Sequence, residues 1–361
     1  MQLTVEQRAL RDAIRGLLTR RRPGDEGVWR WLAEIGVPGL SIPERHGGAG
    51  AGPVETHIAA EELGRDLIPS PLLGSAVLAA QALLASGDDA ACGRLLPAIA
   101  DGTVAALAWT TAAGHWDPDE VACRATAAAP GWILHGAAHY VLDGETAAIL
   151  LVAARTPEGS GLFEVDVRDA GVSRSAVTTM DESRGLAVVR LDGAAGRRIG
   201  GPAASALARA RDLACITLSA EQVGAARRAL DMTVEYTKVR VQFGRPIGGF
   251  QALQHRMADL HVLVESARSL SYAAARAADA GAQDTGLRAA AAKVYCSETL
   301  HRVAAEMIQL HGAIGITWEH DAHRYLKRAH GSAQLFGRPA EHVARIAAEI
   351  IDRRSSRRAG A

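Results

Sequence analysis

The chain has 361 residues, with 40 Lys and Arg against 40 Asp and Glu, so it carries no formal net charge at neutral pH. That balance gives no electrostatic motive for binding nucleic acid or an acidic membrane, and the length suits two or three domains. Apolar residues make up 48% but aromatics only 4%, so the interior must be built mostly from Ala, Leu, Val and Ile.

The N-terminal stretch "LTVEQRALRDAIRGLL" repeats its apolar residues at helical spacing behind Thr4, a plausible N-cap. It is charged throughout and is not a signal peptide, and no run approaches the ~18 apolar residues of a membrane span. A soluble, cytoplasmic protein is expected. "WLAEIGVPGLSIPERHGGAGAG" interrupts with Gly and Pro, and "PVETHIAAEELGRDL" and "LLGSAVLAAQALLASG" resume as helices. Near residue 103 the period changes. "TVAALAWTT", "GWILHGAAHYVLDG", "TAAILLVAAR", "GLFEVDV" and "GLAVVRLDG" are short runs bounded by turn residues and predict a β-domain.

From about residue 204 the helical rhythm returns. Leu213, Ile216, Ala220, Val223, Leu230 and Val234 form one stripe. Leu253, Met257, Leu260, Val264 and Ala267 form a second, and Cys296, Leu300, Val303, Met307 and Leu310 a third. Three such stripes predict a bundle of antiparallel helices. The expected domains are 1–102, helical; 103–203, β; and 204–361, a helical bundle. Cys92, Cys123, Cys215 and Cys296 are widely spaced, without a metal-ligand pattern, and read as reduced core residues; no metal is expected.

Between two of the stripes lies "YTKVRVQFGRPIGGFQ", residues 236–251, a cationic, aromatic and glycine-rich corner. By itself it reads equally as an inter-helix turn, and "HGAIG" further on as a helix C-cap. Together with "IGVPGLSIPERHGGAG", "AAEELGRDLIPSP", "GWILHGAAHYVLDG" and "QLHGAIGITWEHDAHRYLKRA", however, it makes nearly the whole chain resemble the acyl-CoA dehydrogenase family. The resemblance implies a mainly α fold with a central β-barrel-like domain and a C-terminal four-helix bundle. It also implies FAD, an acyl-CoA substrate, electron export to an electron-transfer flavoprotein, and a homo- or hetero-tetramer.

In the family, the residues matching Arg240, Phe243 and Gln251 contact the FAD of a neighbouring subunit, and Gln309, Gly312 and Gly315 form the second half of that cradle. A forked guanidinium suits pyrophosphate oxygens, and glycines let backbone approach. On the flavin-ring side, Thr110 and Tyr140 match contact residues, but Leu142 stands where a hydrogen-bonding Thr is usual.

The family abstracts the substrate α-proton with a Glu at one of two places. Here those places hold Phe336 and Ala214, neither of which accepts a proton. Asp212 falls about 200° round the helix from Ala214, and Glu221, the weak candidate, lies about 10.5 Å further along it. Glu319 reads as a surface or capping charge. The sequence is also similar to subunits of actinobacterial heteromeric enzymes of the family that act on sterol-derived thioesters. It implies either a base-lacking subunit completing a partner's FAD site, or a self-sufficient dehydrogenase with a displaced base; a related flavin oxidase or monooxygenase is the third possibility.

Overall fold

The computed structural model describes residues 2–20 and 27–359. Met1, Gly360 and Ala361, at the ends of the first and last expected domains, lie outside the described residues, as do residues 21–26. The chain begins with α1 (Val5–Thr19), closed by a full capping box: the Gln7 amide donates to the Thr4 hydroxyl and the Thr4 amide to the Gln7 side chain. Then come α2 (Val28–Glu34), α3 (Pro53–Arg65), a π-helical stretch (Leu72–Ala79) running into α4 (Ala80–Ala85), and α5 (Asp89–Ala100).

Seven strands follow: β1 (Ala105–Ala108), β2 (Cys123–Ala128), β3 (Gly131–Leu142), β4 (Ile149–Thr156), β5 (Gly159–Val165), β6 (Val172–Ala176) and β7 (Leu186–Pro202). The pairings β4–β2, β2–β3, β3–β7, β7–β5 and β5–β4 close into a ring, with β1 added beside β4 and β6 beside β7. Closure leaves no unpaired edge within those five strands, which makes this a barrel. β3 loses its register with β7 between Ala138 and Val141, and this bulge carries Tyr140 at a φ of 54°. Bulges re-aim a side chain in this way.

The helical remainder is built on α6 (Ala204–Val239), with α7 (Gln251–Asp279), α8 (Thr285–His311), α9 (Ala322–Gln334) and α10 (Pro339–Ala359). The stripe read along α6 understates its burial, because every residue from Leu213 to Ala226 is buried. Ala, Ser, Thr and Gly on its other faces admit neighbours at close range. A Cβ on Gly64 of α3 would stand 2.1 Å from the Glu221 carbonyl oxygen, and one on Gly224 would stand 1.9 Å from that of Glu61. Two glycines thus let α3 lie backbone to backbone on α6. All four cysteines are free and buried, and burial pushes the Cys123, Cys215 and Cys296 thiols up to about 12.

Candidate functional site

At the end of α6 the Arg240 amide donates to the Tyr236 carbonyl (2.9 Å), after which the chain turns outward. β8 (Val241–Gln242) pairs with β9 (Arg245–Pro246), with Phe243 and Gly244 at the hairpin tip. Both have positive φ, 55° and 76°, as a two-residue hairpin turn requires. Glycine adopts this freely; an aromatic residue does not, and Phe243 is also 92% exposed. Such a ring, held in water on a strained backbone, has one edge-on contact, with Phe250 at 6.2 Å between centroids, and gains little from its own chain. Gly248 folds the corner back on α6, where a Cβ would lie 3.0 Å from the Thr237 carbonyl oxygen. The Arg245 guanidinium lies over the Phe250 ring at 4.0 Å, whereas that of Arg240 has no partner among the described residues.

Gln251 opens α7 and is exposed, as is Gln309 in the last turn of α8. There Gly312, at φ 65°, ends the helix, and a Cβ on Gly315 would meet the Ile308 carbonyl oxygen at 3.1 Å. The two motifs, 75 residues apart in sequence at their point of contact, meet where the Tyr236 hydroxyl donates to the His311 carbonyl (3.3 Å). This corner therefore offers a free guanidinium, two exposed carboxamides, an exposed ring and glycine-permitted close approach. That donor set suits a dinucleotide carrying a pyrophosphate.

The expected flavin-ring contacts lie elsewhere and are differently disposed. The Thr110 hydroxyl donates to the His139 carbonyl, and the His139 amide returns a bond to the Thr110 carbonyl (2.9 Å). The Tyr140 hydroxyl donates to the Ala112 carbonyl (3.3 Å). Leu142 is buried in one core cluster with Trp109, Trp116, Ala214 and Phe336. The Trp116 ring meets Trp109 and Phe336 edge-on, at 5.7 and 5.0 Å between centroids. Phe336 is wholly buried at a φ of 60°, its carbonyl accepting from His342 Nε2 (2.9 Å). Burial holds His342 down to about 4, so it stays neutral. Lys293, buried and lowered to about 8 by desolvation, donates to the carbonyls of Ser332 and Ala333 and so caps α9 just before Phe336. On the ring side the Thr110 hydroxyl is engaged by the His139 carbonyl and Leu142, Trp116 and Phe336 are buried, while Tyr140 stays exposed.

Glu221, the weak candidate base, is not free. Arg184 and Arg328 (2.6 Å) both donate to its Oε1, and Arg328 also reaches Asp181 (2.8 Å) and the Ser183 hydroxyl (2.7 Å). A carboxylate held by two guanidinium groups is a structural anchor between the bundle and the loop before β7. Asp212 forms a bidentate pair with Arg345 (2.7 and 2.8 Å), and Glu319 is exposed. Asp143 was not singled out from the sequence. It lines a cavity of about 180 Å³ with Leu142, Arg184, Glu221 and Arg328, and burial pushes its carboxyl up to about 7 against the opposing charge of Arg184. The missed anchor had one sequence signal: Arg328 sits on the buried face of α9, in line with Ala322, Tyr325, Ala329 and Ser332.

Among the described residues no cluster of His, Cys, Asp or Glu is arranged to hold a metal, and no helix is long and apolar enough to cross a membrane. The family models for the N-terminal and C-terminal domains of acyl-CoA dehydrogenase match residues 4–103 and 203–351. The chain is 42% identical over 340 residues to the acyl-CoA dehydrogenase IpdE2 of Mycobacterium tuberculosis, covering 94% of this chain and 91% of that one. Among solved structures, a variant of the Tcur3481–Tcur3483 steroid acyl-CoA dehydrogenase is 33% identical at a TM-score of 0.87, over 97% of this chain and 99% of that one. The ChsE4–ChsE5 complex of M. tuberculosis is 28% identical, also at 0.87, over 97% and 98%. The chain belongs to the acyl-CoA dehydrogenase family, whose members are FAD-binding oxidoreductases.

Proposed function

We propose that this chain is the base-lacking subunit of a heteromeric acyl-CoA dehydrogenase and completes the FAD site of a catalytic partner. The observation that carries the reading is Phe336, a buried side chain packed edge-on against Trp116 at the position where the family's commoner base stands. The second family position, Ala214, is buried as well, and Glu221 is bound by two arginines. The exposed corner fits the cofactor's pyrophosphate side: Arg240 would hold the phosphates, Gln251 and Gln309 would bond polar edges, and Phe243 would cover an apolar part. FAD, when bound, supplies the hydride acceptor for α,β-dehydrogenation. This chain's residues bind and orient it from outside, and the exposed Phe243, Val241 and Val239 mark the surface a partner subunit would cover. The names of the two heteromeric neighbours support a related partner chain, and one of them supports a steroid-derived acyl-CoA as substrate class. Electrons would leave to an electron-transfer flavoprotein, as the family resemblance implies.

A second reading, a self-sufficient dehydrogenase with a displaced base, rests on Asp143, whose carboxyl is raised to about 7 beside Leu142. One experiment separates the two. Mixed alone with acyl-CoA thioesters from short-chain to steroid-like, the purified chain should reduce flavin at least about 10²-fold more slowly than with a Glu-bearing partner. Comparable turnover by the chain alone, abolished by Asp143→Asn, would instead establish the second reading.

A further inference from the structure

Three rings from three segments stack behind the Arg240 corner. Tyr236 of α6 lies on His311, the last residue of α8, with centroids 4.2 Å apart and planes at 24°. His311 in turn meets His320, from the loop before α9, at 4.4 Å. The Tyr236 hydroxyl donates to the His311 carbonyl, and Tyr236 lies one turn before Arg240, whose amide its own carbonyl accepts. At the other end, His311 sits between Gln309 and Gly312. The stack therefore joins the two halves of the corner through one packed column.

His311 is held as a neutral ring. Its Nδ1 donates to the Met307 carbonyl (2.7 Å), while its Nε2 is buried without a partner among the described residues. Burial, opposed by that bond and reinforced by His320, keeps its titration below the ordinary histidine value. The groups facing it are Tyr236 from α6, the Met307 carbonyl from α8, and His320, whose Nδ1 accepts from the Ala322 amide (3.0 Å). The nearby Asp321 pairs with Arg324 (3.4 Å). No carboxylate is paired with His311 among the described residues to stabilise an imidazolium.

We propose that the Tyr236–His311–His320 stack is a positioning device, fixing the spacing between Arg240 and the Gln309–Gly315 turn so that both reach one dinucleotide, and that it does so only while His311 is neutral. The proposal rests on the cofactor reading of the corner. A proton on the buried His311 would put a charge between Tyr236 and His320 with no paired carboxylate to offset it, and the halves would separate.

The test uses the full chain and ADP, a diphosphate-bearing fragment of the cofactor, titrated calorimetrically at about pH 8 and about pH 5.5. The wild type should bind roughly three- to tenfold more weakly at the lower pH, the scale of one lost stacking or hydrogen-bonding contact. His311→Phe keeps a ring and removes that titration, so its affinity should fall at the lower pH only by what protonation of ADP's own terminal phosphate accounts for, and by less than the wild type's. Tyr236→Leu should weaken binding at both. Wild-type pH dependence surviving in His311→Phe, or tighter binding at low pH, would overturn the proposal. Hydrogen exchange needs no ligand: Tyr236→Leu should expose the amides of residues 237–247 and 312–317 while the β-barrel stays protected, and unchanged exchange there would also overturn it. Unaltered ADP binding by Arg240→Ala would instead remove the cofactor reading, and failure of the wild-type chain alone to bind ADP would leave exchange to judge the stack.

Discussion

The corner at residues 236–251 and 309–315 and the packed region around Phe336 are the places to which we assign a cofactor cradle and a lost base, and this chain treats them in opposite ways. In the first, Arg240, Phe243, Gln251 and Gln309 are all exposed, and one of them sits on strained backbone. In the second, Trp109, Leu142, Ala214 and Phe336 are all buried in the same core. Exposed polar groups and an aromatic ring with a single edge-on neighbour stabilise little in the chain that carries them, so we read their presence as pointing outward. Buried aromatics in edge-to-face contact stabilise the fold directly. One half is shaped for another molecule, the other for this one.

Three substitutions sharpen or break that contrast, beginning with the largest effect. Arg328→Ala removes the cation shared by Glu221 and Asp181, and should lower stability by about 3–5 kcal/mol, as for a broken buried ion pair. A denaturant midpoint close to wild type would mean the packed half is not the rigid body described. Next, Arg240→Ala should leave that midpoint unchanged but cost about 1.5–3 kcal/mol of flavin binding in the assembled enzyme, as for a lost charge-assisted hydrogen bond. Retention of full flavin absorbance would deprive the exposed half of its role.

The smallest effect belongs to Asp143. In the unfolded chain its carboxyl ionises near 3.8, whereas in the folded chain it keeps its proton until about 7. Its burial therefore lowers stability progressively across that interval, and fully above it. Asp143→Asn should gain about 1–2 kcal/mol near pH 8, a gain that shrinks as pH falls through 7 and vanishes below 4. Melting curves across that range would check it. A gain independent of pH would show that the carboxyl is not buried as described.

Much of this was legible beforehand, for physical reasons that differ from place to place. The Thr4 cap and the three bundle stripes depend on local spacing, and the structure has them where the pattern puts them. β2 and β6 escaped notice because "CRATAA" and "VSRSA" lack the branched and aromatic runs that mark a strand. The loss of both base positions could be counted from the motifs. That Trp109 and Trp116 occupy the space could not, since Trp109 reads only as the end of the run "TVAALAWTT" and the packing of both rings depends on Phe336, far along the chain. The anchor at Glu221 escaped for the same reason. It joins Asp181, Arg184, Glu221 and Arg328 from three separate segments, and no local pattern records their meeting.

α6 runs unbroken from Ala204 to Val239 and carries Ala214, Glu221 and, at its C-cap, Arg240. Ala214 and Arg240 are 26 positions apart, about 39 Å along a straight helix. The helix thus acts as a ruler: the vacated base position and the corner are too far apart to grip one reacting centre within a single copy. The same geometry restricts how this gene can drift. Inserting or deleting one codon between them would swing Arg240 by about 100° around the axis, whereas a change of about seven codons, close to two turns, would nearly restore its direction. Length variation along this helix should therefore come in whole turns, even while the residues lining it change freely.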